Sequence, residues 1–307
     1  MRTALVTGGA GFIGSHLVDR LLNDGMSVRV LDNLSTGRLE NLREVLPRIR
    51  FVRGDLLDTA AIRELCTGSE IVFHLAALAS VPRSIDAPAE TDRANGAGTL
   101  ALLLAASEAG VRRVVAASSS SVYGTVATDA AREDLPPRPL SPYGVSKLAL
   151  EHILRLMDGT GRVETVALRF FNVYGPRQDP LSPYAAVIPR FIAAARAGRP
   201  PVIYGDGGQS RDFTYVADAV EALVRSASAP GARGRILNVA GGRPVTVRRL
   251  ADLIRALIPG SPDPQFEPAR PGEIRRSCAD PGALRQAIGF VPSTPIEEGL
   301  RSTVASF

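Results

Sequence analysis

Tryptophan is absent from this 307-residue sequence, cysteine occurs only twice and histidine three times. Cys66 and Cys278 stand far apart, with no C-x-x-C and no Cys/His cluster, so neither a disulfide framework nor a zinc site is signalled. His16, His74 and His152 fall in no H-E-x-x-H frame, and no metal is expected. No apolar run reaches membrane-spanning length. Met1–Val6 leads directly into a strand-like run, without the long apolar core of a secretory leader. The expectation is a soluble, cytoplasmic protein with no membrane partner. The net charge of +5 comes from scattered arginines with no dense basic run, which argues against a nucleic-acid partner. Hydrophobic residues at 45% and charged residues at 22% leave enough apolar side chains for a packed core, so disorder is not the default reading.

What is present is an alternation of short apolar runs and longer amphipathic ones. Strands are expected at Thr3–Thr7, Ser27–Leu31, Arg50–Arg53, Ile71–Leu75, Arg113–Ser118 and Glu164–Phe170. Helices are expected at Phe12–Asn23, Thr59–Cys66, Glu90–Ala109 and Pro142–Leu156. Val114-Val115-Ala116-Ala117 is apolar on both faces, as a buried parallel strand should be. The fold class is therefore α/β, a Rossmann-type doubly wound parallel sheet. After Asn172 proline and glycine crowd in and the alternation loosens, returning with a helix at Val216–Ala227 and a strand at Ile236–Val239. The expected division is residues 1–171 plus 211–239 for the sheet domain. A smaller, irregular α/β substrate-binding domain takes 172–210 plus 240–307.

Thr7-Gly8-Gly9-Ala10-Gly11-Phe12-Ile13-Gly14 closes the first strand and opens the first helix. In such a turn one glycine makes the bend, one lets a pyrophosphate approach the backbone, and one lets helix and strand pack closely. The helix then offers free amides and a positive dipole end to the phosphates. A Gly-rich turn often only connects two elements; its place at the first strand–helix junction is what singles this one out. Asp32 ends the second strand, where a carboxylate accepts hydrogen bonds from ribose hydroxyls and repels a 2′-phosphate. Asn33 follows with no adjacent arginine, so NAD is favoured over NADP. Asp55 and Leu56, after the third strand, are candidates for adenine contact, while Asp58 has the look of a helix cap.

Tyr143-Gly144-Val145-Ser146-Lys147 puts Tyr and Lys at i and i+4 on one helical face. A free phenol, with a pKa of roughly 10, is a poor base at neutral pH. A nearby ammonium, together with a positive nicotinamide ring, is expected to lower it. The same lysine can hold a nicotinamide ribose. A third member comes from Ser118-Ser119-Ser120-Ser121-Val122-Tyr123-Gly124, hydroxyls delivered by an apolar strand to the carboxyl edge of the sheet, where α/β folds bind ligands.

Together these segments resemble the extended short-chain dehydrogenase/reductase family, in its nucleotide-sugar epimerase branch. The likeness runs through Thr7–Gly14, Asp32–Gly37, Asp55-Leu56, His74–Ala77, Ser118–Gly124, Tyr143–Lys147, Arg169–Pro176 and Arg211–Phe213, and covers essentially the whole chain. It implies an NAD-dependent UDP-sugar 4-epimerase in which Tyr143 is the base, Ser119 holds the sugar O4 and Lys147 completes the catalytic set. The implied cofactor residues add Ser35, Thr36, Gly37, Leu75, Ala76, Ala77 and Asn95 to Gly8, Gly11, Phe12, Ile13, Gly14, Asp32, Asn33, Asp55 and Leu56. The implied substrate residues are Ser84, Ser120, Ser121, Asn172, Val187, Arg211, Arg270, Glu273 and Ser277. Ser277 matches the position that gates the size of the C2 substituent, and a small residue there leaves room for an N-acetyl group. Tyr184–Pro189 likewise resembles epimerases that accept N-acetylhexosamines; UDP-glucose and UDP-glucuronate stay open as substrates.

Within the family, 4,6-dehydratases carry an Asp-Glu pair directly after the catalytic hydroxyl, and decarboxylating relatives carry a Glu at the second of these positions. Here both positions are serine, which favours return of the hydride at C4. A dehydratase with an unusual acid/base set is the alternative. A non-catalytic NAD-binding protein is a further one, disfavoured because a sensor has no need of a poised phenol. In this family helices like Glu90–Ala109 and Pro142–Leu156 pair across a dimer interface, so a homodimer is expected.

Overall fold

The computed structural model describes residues 2–126, 128–180, 185–269, 272 and 274–307. Strands are β1 (Thr3–Thr7), β2 (Ser27–Asp32), β3 (Arg50–Arg53), β4 (Ile71–His74), β5 (Arg113–Ser119), β6 (Glu164–Phe170), β7 (Val173–Tyr174), β8 (Val202–Tyr204), β9 (Ser210–Asp212), β10 (Thr214–Tyr215), β11 (Ile236–Val239), β12 (Pro244–Thr246), β13 (Gln265–Glu267) and β14 (Arg276–Ser277). Helices are α1 (Phe12–Asn23), α2 (Thr59–Cys66), α3 (Val81–Asp86), α4 (Pro88–Asp92), α5 (Gly98–Glu108), α6 (Pro142–Gly159), α7 (Val187–Arg196), α8 (Val216–Ser228), α9 (Val247–Leu257), α10 (Gly282–Ile288) and α11 (Ile296–Ala305).

Seven strands form one parallel sheet in the order β11-β6-β5-β4-β1-β2-β3. Alternate residues of each strand serve opposite faces. Ala4, Val6, Val28, Val30, Phe73, Val115 and Leu168 face α1, α8 and α10. Leu5, Leu31, Val72, Val114, Ala116 and Ala167 face α2, α5 and α6. Burying a side chain such as Leu5 or Phe73 contributes about 1.5–3 kcal/mol before conformational entropy is counted. This double burial is why the strands read as continuous apolar runs. The chain order reverses between β1 and β4, so the crevice outside their carboxyl ends is where such a sheet binds ligands.

Local chemistry sets the helix starts. Asp58 accepts from Ala61 N at 3.1 Å to open α2, and Ser141 accepts from Gly144 N at 3.1 Å to open α6, with Pro142 at the first position. The helix expected over Glu90–Ala109 is present as one continuous helical run, α4, a π-turn at Arg93–Ala97 and α5, with the wider turn an addition the sequence pattern did not show. Asn95 turns its side chain inward there, accepting from Leu78 N at 2.8 Å, while Thr99 Oγ1 donates to the Asn95 carbonyl at 2.5 Å. The Leu78 contact is tertiary and invisible to periodicity, while the Thr99 bond is local to the wider turn. β4 ends one residue earlier than expected and α6 runs three further, ordinary differences at element ends.

Beyond Asn172 a third apolar cluster gathers α7, α9 and α11 around Tyr174, Phe191, Ile192, Leu250, Ile254 and Leu300. A small sheet β12-β9-β14 leans on it and pairs Ser277 with Arg211. The tail does not all pack there: α10 returns to the main sheet, where Leu284, Ala287 and Ile288 join the cluster under α8 and β11.

Candidate active site

A cavity of about 640 Å³ runs along the carboxyl edge of the sheet, from Asp32 and Asp55 at one end to Ser277 and Cys278 at the other. Its floor at the first end is the Gly turn. Gly8 has φ +72°, and a Cβ there would lie 2.7 Å from Ala76 N; a Cβ on Gly14 would collide with the Gly8 carbonyl oxygen. Only glycine lets β1, α1 and the Leu75–Ala77 segment approach so closely. Gly11 gives α1 no side-chain cap, so its first-turn amides remain available to an anion. Asp32 is buried, its two oxygens accepting from Ala10 N at 2.9 Å and Leu34 N at 2.8 Å. Burial pushes its carboxyl above the ordinary value and these two amides oppose the rise. Asn33 donates to Asp55 at 2.7 Å, tying the adenosine end together. A glycine cradle, a helix N-terminus and a carboxylate at the end of the second strand are the parts a dinucleotide needs, and they occur here in one continuous groove.

At the middle of the cavity β5 ends and α6 begins. Ser119 is followed by a short turn in which both Ser121 N (3.1 Å) and Ser121 Oγ (2.9 Å) donate to Ser119 Oγ. Ser119 also shares a hydrogen bond with the Tyr143 hydroxyl. Lys147 lies beneath, its Nζ 5.9 Å from the Tyr143 ring centroid and donating to Ala117 O at 2.7 Å. Burial pushes the Lys147 ammonium down to about 8, with the Glu151 carboxylate opposing. The phenol departs from the sequence argument. Burial pushes Tyr143 up from its ordinary value and the Ser119 hydrogen bond opposes this; a downward push from Lys147 is not what sets the direction. The reason is geometric, since the ammonium sits near the ring and the Ala117 carbonyl. Lowering the phenol is thus left to positive charge that a bound ligand brings.

Past the trio, Asn172 adopts a left-handed backbone (φ 36°) and donates from Nδ2 to Asp212 O at 3.0 Å. Asn172 and Arg211 line both this cavity and a second one of about 300 Å³. Val187 lines the second cavity, among Phe191, Tyr204, Gln209 and Phe213.

The structure brings together Gly8, Gly11, Phe12, Ile13, Gly14, Asp32, Asn33, Ser35, Thr36, Gly37, Asp55, Leu56, Leu75, Ala76, Ala77, Ser119, Ser120, Ser121, Tyr143, Lys147, Asn172, Arg211 and Ser277 on the wall of the one cavity. Three expected members do not line it, Val187 lying instead on the second cavity. Asn95 is buried behind the wall, bonded to Leu78 and to Ser146 Oγ at 3.0 Å. Ser84 is buried and donates to Val81 O at 2.7 Å. Arg270, Glu273 and Tyr184 lie outside the described residues. Sequence reasoning missed the far wall: Val126, Thr128, Asp129 and Ala131 facing Ile274, Arg276 and Cys278. That wall forms because Ala131 bridges Ala279, with Ala131 N donating to Cys278 O at 2.8 Å. No motif marks such a long-range pairing.

Residues 4–240 match the family model described as the NAD dependent epimerase/dehydratase family. The chain belongs to this family. NAD is its cofactor, and the glycine cradle described above fits it. The UDP-glucose 4-epimerase of Mycolicibacterium smegmatis is 43% identical, covering 100% of this chain and 98% of that protein. The structure of the UDP-N-acetylglucosamine 4-epimerase from Methanobrevibacter ruminantium M1, in complex with UDP-N-acetylmuramic acid, superposes with a TM-score of 0.95. It is 41% identical and covers 99% of this chain and 97% of that one. A dTDP-glucose 4,6-dehydratase of Streptomyces griseus is 35% identical over 98% of this chain and 92% of its own length. This chain is an NAD-dependent epimerase, an isomerase. No helix among its described residues is long and apolar enough to cross a membrane, and no group of three metal-ligating side chains occurs among them.

Proposed function

We propose that this epimerase inverts C4 of a UDP-hexose, with UDP-glucose, UDP-N-acetylglucosamine and UDP-glucuronate as the candidate substrates. The observation that carries the reading is the convergence of Ser119, Tyr143 and Lys147 on one stretch of cavity wall between the dinucleotide cradle and the Asn172/Arg211 region. NAD, held by the glycine cradle and the start of α1, would supply the hydride acceptor and donor for C4. The chain's own part is acid–base and positioning work. Tyr143 Oη removes the O4 proton and gives it back. Ser119 Oγ, held by Ser121, fixes O4 against the phenol. Lys147 supplies a buried cation below the ring and two N–H donors beyond the one given to Ala117, suited to a ribose. Arg211 and Asn172 serve the diphosphate, an assignment that suits the guanidinium fork, and Arg270 and Glu273 are assigned with them from the resemblance. Val187 and the second cavity suit the nucleobase. Ser277 leaves space for an N-acetyl group.

The dehydratase alternative needs an acid and a base beside the hydroxyl. Ser120 and Ser121 occupy those places on the cavity wall, which favours epimerisation. We also propose a homodimer: Leu100 and Leu104 on α5 and Val145 and Leu156 on α6 are 43%, 49%, 54% and 72% exposed on neighbouring helices. The deciding experiment incubates the purified, NAD-loaded protein with each of the three UDP-sugars and no added cofactor. Formation of the 4-epimer at unchanged mass supports the reading; loss of water identifies a dehydratase; three unchanged sugars overturn it.

A further inference from the structure

Directly behind the catalytic trio lies an ion pair that the reaction scheme does not use. Arg169 on β6 donates to both oxygens of Glu151 on α6, Nε to Oε1 and Nη2 to Oε2, each at 2.7 Å. Both side chains are almost wholly buried, at 3% and 2% exposed. A fully buried bidentate pair is expensive to desolvate and is no simple source of stability. Its surroundings point to a task. Ser118, the residue before Ser119, donates from Oγ to Glu151 Oε1 at 2.6 Å. Glu151 follows Lys147 by one helical turn, on the same face of α6. Lys147 is moreover the only lysine in the whole sequence.

We propose that Glu151, paired with Arg169, is a positioning residue for the epimerase: it pins the end of β5 through Ser118 and acts as the buried counter-charge of the Lys147 ammonium. The inference rests on the reaction assigned above for its link to turnover, but the charge relation stands on the fold alone. The groups facing Lys147 are Tyr143 and Glu151 on its own helix, the Ala117 carbonyl on β5 and His74 on β4. His74 is held neutral, well below its ordinary value, by burial and by the Lys147 charge. Arg169 faces Glu151 and stacks 4.6 Å from the Tyr123 ring, and Tyr123 donates to Asn238. Glu151 is the group among these whose charge sustains the ammonium against burial.

The single lysine makes a direct measurement possible. Protein carrying lysine labelled with carbon-13 at Cε gives one lysine side-chain resonance, whose shift reports the protonation of Lys147 without any substrate. In Glu151→Gln the titration midpoint is expected to fall by about one pH unit or more, as loss of a neighbouring opposite charge requires. The alkaline limb of the kcat profile should move down with it while NAD stays bound. Because Glu151→Gln leaves Arg169 unpaired and risks misfolding, the double variant Glu151→Gln/Arg169→Met is measured alongside. It removes both buried charges, and because the Arg169 cation itself disfavours a neighbouring ammonium, a smaller downward shift is expected. An unchanged midpoint in a folded variant overturns the proposal. Inactivity of the wild-type enzyme on every UDP-hexose would count against the proposed function alone, since the resonance still titrates.

Discussion

Replacing Lys147 with methionine is expected to stabilise the NAD-free protein while abolishing turnover. The side chain is nine-tenths buried or more, and burial moves its ammonium from 10.5 down to about 8. A shift of that size corresponds to about 3 kcal/mol of folding stability forgone at neutral pH. Methionine removes that penalty and fills much of the same space. It also removes the 2.7 Å hydrogen bond to Ala117 O, whose loss costs about 1–1.5 kcal/mol. The net gain is about 2 kcal/mol, or a rise in Tm of about 4 °C for a chain of this size. The sign of the pH dependence follows from proton counting. Between about 8 and 10.5 the unfolded chain holds a proton that the folded chain has shed. Wild-type stability therefore climbs with pH across that window and the variant's advantage shrinks. Denaturant unfolding of NAD-free protein at pH 7 and at pH 10 measures both effects. A methionine variant less stable than wild type at pH 7, or an advantage independent of pH, would refute the reasoning.

Tyr143→Phe is expected to lower kcat by orders of magnitude while the purified protein still carries NAD; full activity removes Tyr143 from its assigned role. Gly14→Ala drives a methyl group into the Gly8 carbonyl, so NAD content after purification and thermal stability should both fall sharply, and a fully loaded variant would contradict the cradle geometry. Ser277→Tyr narrows the cavity opposite Arg211; comparative kcat/KM should show N-acetylhexosamine turnover lost before UDP-glucose turnover, and equal losses would argue against a gating role. His74 is lowered to about 3 by burial and by Lys147. Below about 6.5 the unfolded chain gains a proton that the folded chain refuses, so stability should fall as pH drops from 6.5 towards 3, by up to about 1.4 kcal/mol per pH unit from this group. His74→Gln should flatten that slope in acid unfolding curves.

The elements that the sequence announced well are those built on local rules. β1, β3, β6 and β11 and helices α1 and α2 fall where apolar period, capping residue and glycine punctuation put them. The Gly turn, Asp32, Tyr143 and Lys147 were nameable because each needs a particular residue type at a particular spacing from a strand or helix end, whereas Ser119 was singled out among its neighbouring serines by the family resemblance. The wider turn at Arg93–Ala97 was not legible, because Asn95 within it pairs with Leu78 and Ser146, distant in sequence. The inward placement of Asn95 has the same origin, whereas Ser84 is buried on α3 with its hydroxyl turned back to Val81 O.

The residues alone determined the α/β class, the dinucleotide turn and the Tyr143/Lys147 pair, since alternation, glycine spacing and the i, i+4 rule act within a few residues of chain. Only the tertiary structure decided which way the Tyr143 phenol shifts, which carboxylate stands behind Lys147, and that Ala131 and Ala279 close the far wall of the cavity. Those outcomes depend on burial and on the distances between charges on different strands, and desolvation is a property of the packed interior that no stretch of sequence contains.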